Sequence, residues 1–586
     1  MYRSPVEDIL FSLRHVAGLD EAVSQGLFGD LDWDTVASVI GEAGRFASEV
    51  IAPLNRPGDV EGARCENGVV TTPKGFRQAY KQWVEGGWAG VTAAPEQGGM
   101  GLPHSVNFAC SEIWNGASMG FALCPLLSEG ALGALNAYAS PELRETYVKR
   151  IASGEWTGTM NLTEPQAGSD LNAVKARAER ASDGAYRVFG QKIFITYGEH
   201  DFADNIVHLV LARLPDAPPG TRGISLFLVP KFLVKPDGSL GQRNDVRCAS
   251  IEHKLGIHAS PTCVMIFGDN GGATGFLVGE ENRGLSAMFV MMNNARLSVG
   301  LQGVAIGERA YQHAAAYARE RKQGRAGAGA GMSAIIDHPD VQRMLLTMKA
   351  EVQAARGICH LTGVAIDLSK HAATKEARDA AAERAALLTP VAKAWSSDIG
   401  DEVASLGVQA HGGMGFIEET GAAQFLRDSR ITAIYEGTNG IQAIDLVTRK
   451  IPLSGGKAVA REIAFVRGVA AEVSVKGGVS FGATAARLGA ATDALERATD
   501  YLLKTLAADS NAALAGAYAY LKLFGVALGG ACLAKAGLAE GGDAGRIALA
   551  RFFAEKLSPV APGLADSVCS GADSLASAEA ALKEVA

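Results

Sequence analysis

The stretch "ITAIYEGTNGIQ", residues 431–442, begins like a strand and is interrupted by a carboxylate, Glu436, followed at once by Gly437, Thr438, Asn439 and Gly440. An acid on so tight a bend is either a solvated turn residue or a base. To take a proton from carbon, a carboxylate must sit in a site that excludes water, because desolvation raises its pKa and with it its basicity. Gly437 leaves space beside it for a substrate. Three further segments carry polar groups in suggestive order. "MNLTEPQAGSD" (160–170) packs Thr163, Glu164, Ser169 and Asp170 around a Pro and a Gly, the composition of a hydrogen-bonding loop or of a capping turn. In "GQKIFITYGEHD" (190–201), Phe194 and Thr196 point to one face of a strand, where a planar ring could lie against the Phe and accept or donate at the Thr. In "VQAHGGMGF" (408–416), Gly412 and Gly413 permit close backbone approach to a ligand or to another helix.

These segments need a frame to bring them together. At 586 residues and 60.9 kDa the chain exceeds what one hydrophobic core usually organises. Apolar residues make up 48%, charged residues 20%, and the net charge is −8, a balance that gives no reason to expect nucleic acid as a partner. Eight cysteines without a C-x-x-C pair indicate neither a disulfide framework nor a metal site, and a reduced, cytoplasmic setting is expected. The N-terminal segment carries acids among its apolar residues, unlike a secretory signal, and no run of about 18 uninterrupted apolar residues suggests a membrane span. The most apolar tract, "YAYLKLFGVALGGACLAKAGLA", is broken by Lys522, Lys535 and glycines and reads as a buried, closely packed helix.

The order of textures predicts an α+β protein. Residues 1–32 form an N-terminal extension, 33–157 a helical domain, 158–284 a middle domain of short strands forming an antiparallel β-barrel, 285–452 a four-helix bundle bearing Glu436, and 460–586 an extra C-terminal helical domain. Within the bundle, Val341, Met344, Leu345, Met348 and Val352 make a stripe on one helix face. "GRAGAGAGM" (324–332) reads as a small flexible loop. No G-x-G-x-x-G follows a strand, so a nucleotide cofactor would have to bind without the Rossmann device.

In their order and separations, "LTEPQAGSD", "IFIT", "QAHGGMGF" and "IYEGTNG" resemble the acyl-CoA dehydrogenase family, whose helix–sheet–helix architecture this succession matches. "EHKLGIHASPT", "FLVGEENRGL", "NNARLSVG" and "ERKQGR" extend the resemblance over essentially the whole chain. The extra C-terminal length and the start "YRSPVEDILFSLRHV" are similar to the long subgroup that includes 3-methylmercaptopropionyl-CoA dehydrogenases and certain bacterial fatty acyl-CoA dehydrogenases. The resemblance implies FAD as cofactor, an acyl-CoA thioester as substrate, an electron-transfer flavoprotein as electron acceptor and a homodimer or dimer of dimers. It makes Glu436 the base that removes the pro-R α-proton while the β-hydride passes to flavin N5, giving a trans-2-enoyl-CoA.

Carried residue by residue, the resemblance places Met160, Leu162, Thr163, Phe194 and Thr196 at the isoalloxazine ring and Thr438 and Gly440 beside the base. Arg321, Gln323, His338, Gln409, Gly412 and Gly413 would reach FAD across a subunit interface, and Ser169, Arg296 and Gly437 would serve the substrate. Some relatives carry the base on the helix just before the helical Arg; here those positions are Asn294 and Ala295, neither of them a base. "QGRAGAGAGMSAIIDHPD" departs from the family pattern between Gln323 and His338. Two other readings share the motifs: an acyl-CoA oxidase, in which oxygen reaches the reduced flavin, and a flavin-bearing DNA-associated alkylation-response relative, for which the balanced charge of the C-terminal region lacks the needed basic face.

Overall fold

In the computed structural model, which describes residues 2–327, 331–540 and 543–583, the chain divides into two units. One comprises Arg45–Pro103 and Ala117–Ala295, the other Met1–Gly44, His104–Gly116 and Arg296–Ala586. Of the Gly/Ala loop at 324–332, residues 328–330 lie outside the described residues.

The first unit holds the strands: β1 (Arg64–Glu66), β2 (Val69–Thr71), β3 (Trp156–Asn161), β4 (Arg177–Arg180), β5 (Tyr186–Thr196), β6 (Asn205–Arg213), β7 (Ile224–Pro230), β8 (Phe232–Val234), β9 (Leu240–Arg243), β10 (Val246–Ile251), β11 (Thr262–Phe267) and β12 (Ala273–Leu277). The β1–β2 hairpin interrupts the N-terminal region that the sequence texture marks as helical. The main sheet runs β10-β11-β5-β12-β7-β6-β3, with β4 paired to both β5 and β6. The expected antiparallel barrel is therefore corrected to a mixed sheet. β3 lies parallel to β6, from Trp156 opposite Asn205 to Asn161 opposite Val210. Parallel neighbours need a long crossover, and residues 162–204, which carry β4 and β5, supply one. A barrel survives only in part: β4 meets β6 at one registered pair, Arg177 and Arg213, which closes β4, β5, β12, β7 and β6 into a ring.

Both faces of the central strands are covered, which is why they read as continuous apolar runs. Val207, Leu209 and Leu211 of β6 enter one core cluster, with Leu226 and Leu228 of β7. Val210 and Ala212 enter the opposite one, with Phe227 and Val229.

The second unit is helical. Its long helices include Pro339–His371, Lys375–Ala410 and the portion of Gly284–Glu320 from Arg296 onward. Met344, Leu345, Met348 and Val352 of the sequence stripe are buried and Val341 is half-buried. Glycines let two of these helices touch backbone to backbone: a Cβ on Gly303 would lie 2.2 Å from the Ser396 carbonyl oxygen, and one on Gly400 would lie 2.8 Å from the Gly303 Cα. That crossing fixes Gln302 and Arg296 relative to Lys393 and Ser397. The C-terminal extension adds helices Lys457–Lys476, Thr484–Ala508, Ala517–Leu538, Ala544–Phe552 and Ala561–Cys569.

Buried charge ties this unit together. The Arg356 guanidinium, wholly buried, donates to Glu112 Oε1 at 2.8 Å and to Glu308 Oε2 at 3.0 Å. Burial pushes the Glu112 carboxyl up, but Arg356 and His360 outweigh it and hold it below its ordinary value. His360 Nδ1 in turn meets Ser12 Oγ at 2.9 Å, which anchors the N-terminal extension. Asp367 accepts from the backbone N–H groups of His104 and Ser105, both at 2.8 Å, satisfying donors at the start of helix His104–Tyr138. Among the described residues, His104–Tyr138 and Ala517–Leu538 are long and apolar enough to cross a membrane, but most of each is buried inside the protein.

Candidate active site

Glu436 does not interrupt a strand. The β-branched "RITA" segment, Arg430–Ala433, coils into a 3-10 turn, and the next helix, Asn439–Asp445, starts at Thr438, whose Oγ1 accepts from the Ile441 N–H at 3.3 Å. The bend between them forces two residues into the left-handed region, Glu436 at φ +56° and Gly437 at φ +88°. Such a conformation costs a residue with a side chain roughly 1–2 kcal/mol. Gln442, fully buried, holds the bend by donating its side-chain N–H to the Glu436 carbonyl at 3.3 Å and to that of Gly437 at 3.5 Å.

The side chain of Glu436 is half-buried. Burial pushes its carboxyl up to about 7, and the charges of Arg296 and Lys393 pull against that rise. Arg296 is itself buried, its Nη1 3.7 Å from Asp445 Oδ2, and its Nε has no hydrogen-bond partner. Asp445 is shared with Arg449 at 2.5 Å and Lys450 at 3.9 Å, so Arg296 keeps part of its field for Glu436. Tyr435 donates to Gln302 Oε1, on the helix that carries Arg296. The result is a carboxylate poised to exchange a proton near neutral pH, with a cation beside it.

Gly437 sets a strict limit on this bend. A Cβ there would fall 2.7 Å from Gln442 Nε2, at a φ that L residues avoid. Gly437→Ala is expected to cost about 1–3 kcal/mol in strain and to lower kcat at least tenfold by displacing Glu436. Urea unfolding and steady-state kinetics check it; wild-type values for both would mean that the bend tolerates a side chain.

The other expected residues lie in three groups. Arg321, Gln323 and His338 come together in spite of the altered loop: Arg321 Nη2 is 3.5 Å from Gln323 Oε1, and His338 Nε2 is 2.8 Å from the Gln323 carbonyl oxygen. The bridge Lys322–Ala334 and the bond from Gln323 N–H to the Ser333 carbonyl pinch the loop shut at its base. Gln409 lies in the last turn of the helix that ends at Ala410, and Gly412 and Gly413 follow, with nothing within 4 Å of where a Cβ on either would stand. Met160, Leu162 and Thr163 lie at the end of β3 and just beyond, all half-buried, with Ser169 exposed in the following loop.

Phe194 and Thr196 end β5. The register slips between Cys263 and Met265 of β11, leaving an extra residue in β5, and Phe194 takes φ +60° there. This bulge exchanges the inward-facing parity, from Lys192 before it to Ile195 after it, so Phe194 and Thr196 share the outward side. Glu164, beside Thr163, is a structural acid. It ion-pairs with the fully buried Lys192 at 2.7 Å and accepts from the N–H groups of Lys175 and Ala176. Lys192 also donates to the Leu162 carbonyl at 3.0 Å, and Ile193 N–H to that of Thr163 at 2.9 Å, which locks the β3 end against the bulge.

Sequence reasoning missed Lys393, Asn439 and Gln442. A lysine inside the apolar run "LLTPVAKAWSS" was the available signal for the first, and a buried Asn following a bend residue for the second.

Family models match in succession along the chain: the acyl-CoA dehydrogenase N-terminal domain over 37–155, the middle domain over 159–270, the C-terminal domain over 282–451, and an acetyl-CoA dehydrogenase C-terminal-like domain over 459–579. The chain is 49% identical over 568 residues to a 3-methylmercaptopropionyl-CoA dehydrogenase of Ruegeria pomeroyi, covering 95% of this chain and 96% of that one. The chain belongs to the acyl-CoA dehydrogenase family. This acyl-CoA dehydrogenase is also 35% identical over 476 residues to the broad-specificity linear acyl-CoA dehydrogenase FadE5 of Mycobacterium tuberculosis, covering 78% and 77% of the two chains. Its fold resembles that of an acyl-CoA dehydrogenase from Bacillus anthracis complexed with FAD, at a TM-score of 0.71, 22% identity, and 91% and 88% coverage.

The acyl-CoA dehydrogenase is a flavoenzyme by family, and its residues fit FAD. Phe194 is 58% exposed, an aromatic face that the unit itself leaves uncovered, with the Thr196 hydroxyl on the same side. Gly412, at φ +60°, and Gly413 present bare backbone. The two positions before Arg296 in the sequence are Asn294 and Ala295, neither of them an acid.

Proposed function

We propose that Glu436 is the base of an FAD-dependent α,β-dehydrogenation that converts an acyl-CoA thioester to a trans-2-enoyl-CoA. The observation that carries this reading is a half-buried carboxylate on a left-handed bend, pushed up to about 7 and flanked by Arg296 and Lys393. FAD, when bound, supplies the hydride acceptor. Met160, Leu162, Thr163, Phe194, Thr196, Thr438 and Gly440 would hold its ring system, and Arg321, Gln323, His338, Gln409, Gly412 and Gly413 its remainder across a homodimer interface.

The α-proton of a thioester is far too weakly acidic for a carboxylate in water. Glu436 therefore acts where desolvation strengthens it, and the thioester oxygen, where negative charge develops, needs donors, of which the Glu436 backbone N–H is one by family resemblance. Gly437 leaves the acyl thioester room, Arg296 stabilises negative charge as the proton leaves, and Ser169 meets the CoA portion. Between these roles the protein contributes position and field.

For the acyl group we propose 3-methylmercaptopropionyl-CoA, because the relative of that name is 49% identical over nearly the full length of both chains. Straight-chain acyl-CoA is the second reading, favoured by the 35% identity to a broad-specificity linear enzyme. An electron-transfer flavoprotein is the proposed acceptor and the cytoplasm the proposed site of action. A panel of acyl-CoA chain lengths with 3-methylmercaptopropionyl-CoA and a dye acceptor tests the assignment: the thioether substrate should show the highest kcat/KM, and a preference for long chains would overturn it. Rapid peroxide formation in air would replace the dehydrogenase by an oxidase.

The pH dependence follows from the same carboxyl. Only ionised Glu436 can accept the proton, so kcat/KM should climb with pH to a plateau above about 7 and fall about tenfold per unit below it. A profile flat from pH 5 to 9 would rule Glu436 out as the group being titrated.

A further inference from the structure

The C-terminal extension has no role in the chemistry just described, yet an unbroken run of hydrogen bonds joins it to Asn439, three residues beyond Glu436, and to Lys393, whose charge acts on Glu436. Tyr518, on helix Ala517–Leu538, donates its hydroxyl to Asp398 Oδ2 at 2.6 Å. Asp398 Oδ1 accepts from Asn439 Nδ2 at 2.8 Å. Asn439 Oδ1 accepts from Lys393 Nζ at 2.8 Å and from Ser397 Oγ at 3.2 Å. Asn439 also donates to the Ala394 carbonyl at 3.1 Å, which fixes its amide against helix Lys375–Ala410. It lies three residues beyond Glu436, on the far side of the bend that the base occupies.

Lys393 is fully buried, and among the described residues its ammonium is hydrogen-bonded to Asn439 and paired with no carboxylate within 4 Å. A buried cation with one neutral acceptor is costly to keep. The neighbouring carboxylates are Glu436 and Asp398, with Arg296 opposing. Burial pulls the Lys393 amine down to about 7, the same range to which burial pushes Glu436 up.

A second observation shows that the extension is seated at this point. Gly525 and Gly529 of helix Ala517–Leu538 lie flat on the Trp395 ring; a Cβ on them would come within 2.3 Å and 2.8 Å of it. Trp395 sits between Lys393 and Asp398 on the same helix, so the extension packs directly over the residues that link it to the bend.

We propose that Lys393 is a positioning residue for Glu436, and that Tyr518 of the C-terminal extension holds it in place through Asp398 and Asn439, making the extension part of the apparatus that poises the base. This rests on Glu436 being the base. Among the described residues, the charged and titratable groups facing the run are Arg296 and Tyr435 around Glu436, and Asp401 and Arg430, themselves paired at 2.8 Å, with Lys522, 5.2 Å from the ring centroid, around Tyr518. Arg296 is held by Asp445, which Arg449 and Lys450 also engage. Among the described residues, removing the Lys393 charge leaves Arg296 as the cation acting on Glu436, and the carboxyl should rise.

The test uses the full-length, flavin-loaded enzyme with an acyl-CoA and a dye acceptor, as wild type, Lys393→Met, Tyr518→Phe, the double variant and Glu436→Gln. Lys393→Met keeps the stem and leaves Asn439 its Ser397 donor. It should move the acid limb of kcat/KM up by about one pH unit. The Glu436 carboxyl band, followed by infrared difference spectroscopy against Glu436→Gln, should titrate up by the same amount. Tyr518→Phe should lower kcat about threefold at unchanged KM, and should add nothing once Lys393 is Met, because both act on one linkage.

An unmoved acid limb and an unmoved carboxyl titration in Lys393→Met would overturn the proposal. So would additive effects of the two substitutions. If Lys393→Met does not fold, Tyr518→Phe decides, and wild-type kcat with a wild-type carboxyl titration in that variant also overturns it. Wild-type turnover by Glu436→Gln would instead remove the base itself; a dead Glu436→Gln beside unaltered Lys393 and Tyr518 variants would remove only the linkage.

Discussion

Glu436→Gln lowers kcat for acyl-CoA dehydrogenation by about 10²- to 10⁴-fold, the range that a positioned general base supplies. The amide keeps the size of the side chain and the donors and acceptors around the bend, so flavin content, yellow colour and KM for the acyl-CoA should stay near wild type. What is lost is the lone pair that receives the proton. The expected split, a collapsed kcat with an intact KM, marks an interaction made only on the way to the transition state. Turnover with a dye acceptor across substrate concentrations measures it, and a yellow variant running at the wild-type rate would end the assignment. Just ahead of Arg296 the sequence carries Asn294 and Ala295, neither of them a base.

Arg356→Leu should destabilise the helical unit by about 3–5 kcal/mol, enough to shift its unfolding midpoint clearly. The side chain is fully buried and answers two carboxylates, Glu112 and Glu308, which would be left without it. Glu112 is 1% exposed and cannot turn to water. His360, 3.5 Å from the other Glu112 oxygen, gives partial relief only if it takes up a proton against its own burial. Adding Glu112→Gln to Arg356→Leu should recover part of the loss, since it removes one stranded charge. Urea unfolding of the two variants checks both statements. Equal midpoints for wild type and Arg356→Leu would show that the cluster contributes nothing net.

Some of this was legible because it rests on local patterning. The stripe from Met344 to Val352 is buried as a helical period requires, and the strand texture of the middle domain is real. The parallel seating of β3 against β6 was not legible, because nothing within either strand records which distant strand will lie beside it or in which direction. The bend at 436 could be read from Gly437 and Thr438, but not its construction. "ITAIY" has the β-branched look of a strand, and only the helix start at Thr438 and the clamp of Gln442 show why it coils instead.

The surroundings of Glu436 were the least legible part. A lysine in an alanine-rich helix ordinarily reads as a solvated residue, and Lys393 departs from that because it is fully buried and donates to Asn439, which Ala394 and Ser397 hold in turn. Glu164 shows the reverse: an acid in a motif-rich loop proves to be the partner of a buried lysine, holding β3 to β5. Burial decides both cases, and burial is a property of the assembled packing.

The left-handed bend at Glu436 also bears on how this sequence can drift. Glycine at 436 would adopt φ +56° freely and would remove a buried charge, so Glu436→Gly relieves two penalties at once. Any selection for heat tolerance alone, with turnover left unmonitored, would therefore be drawn to the position proposed as the base, where stability and turnover pull in opposite directions.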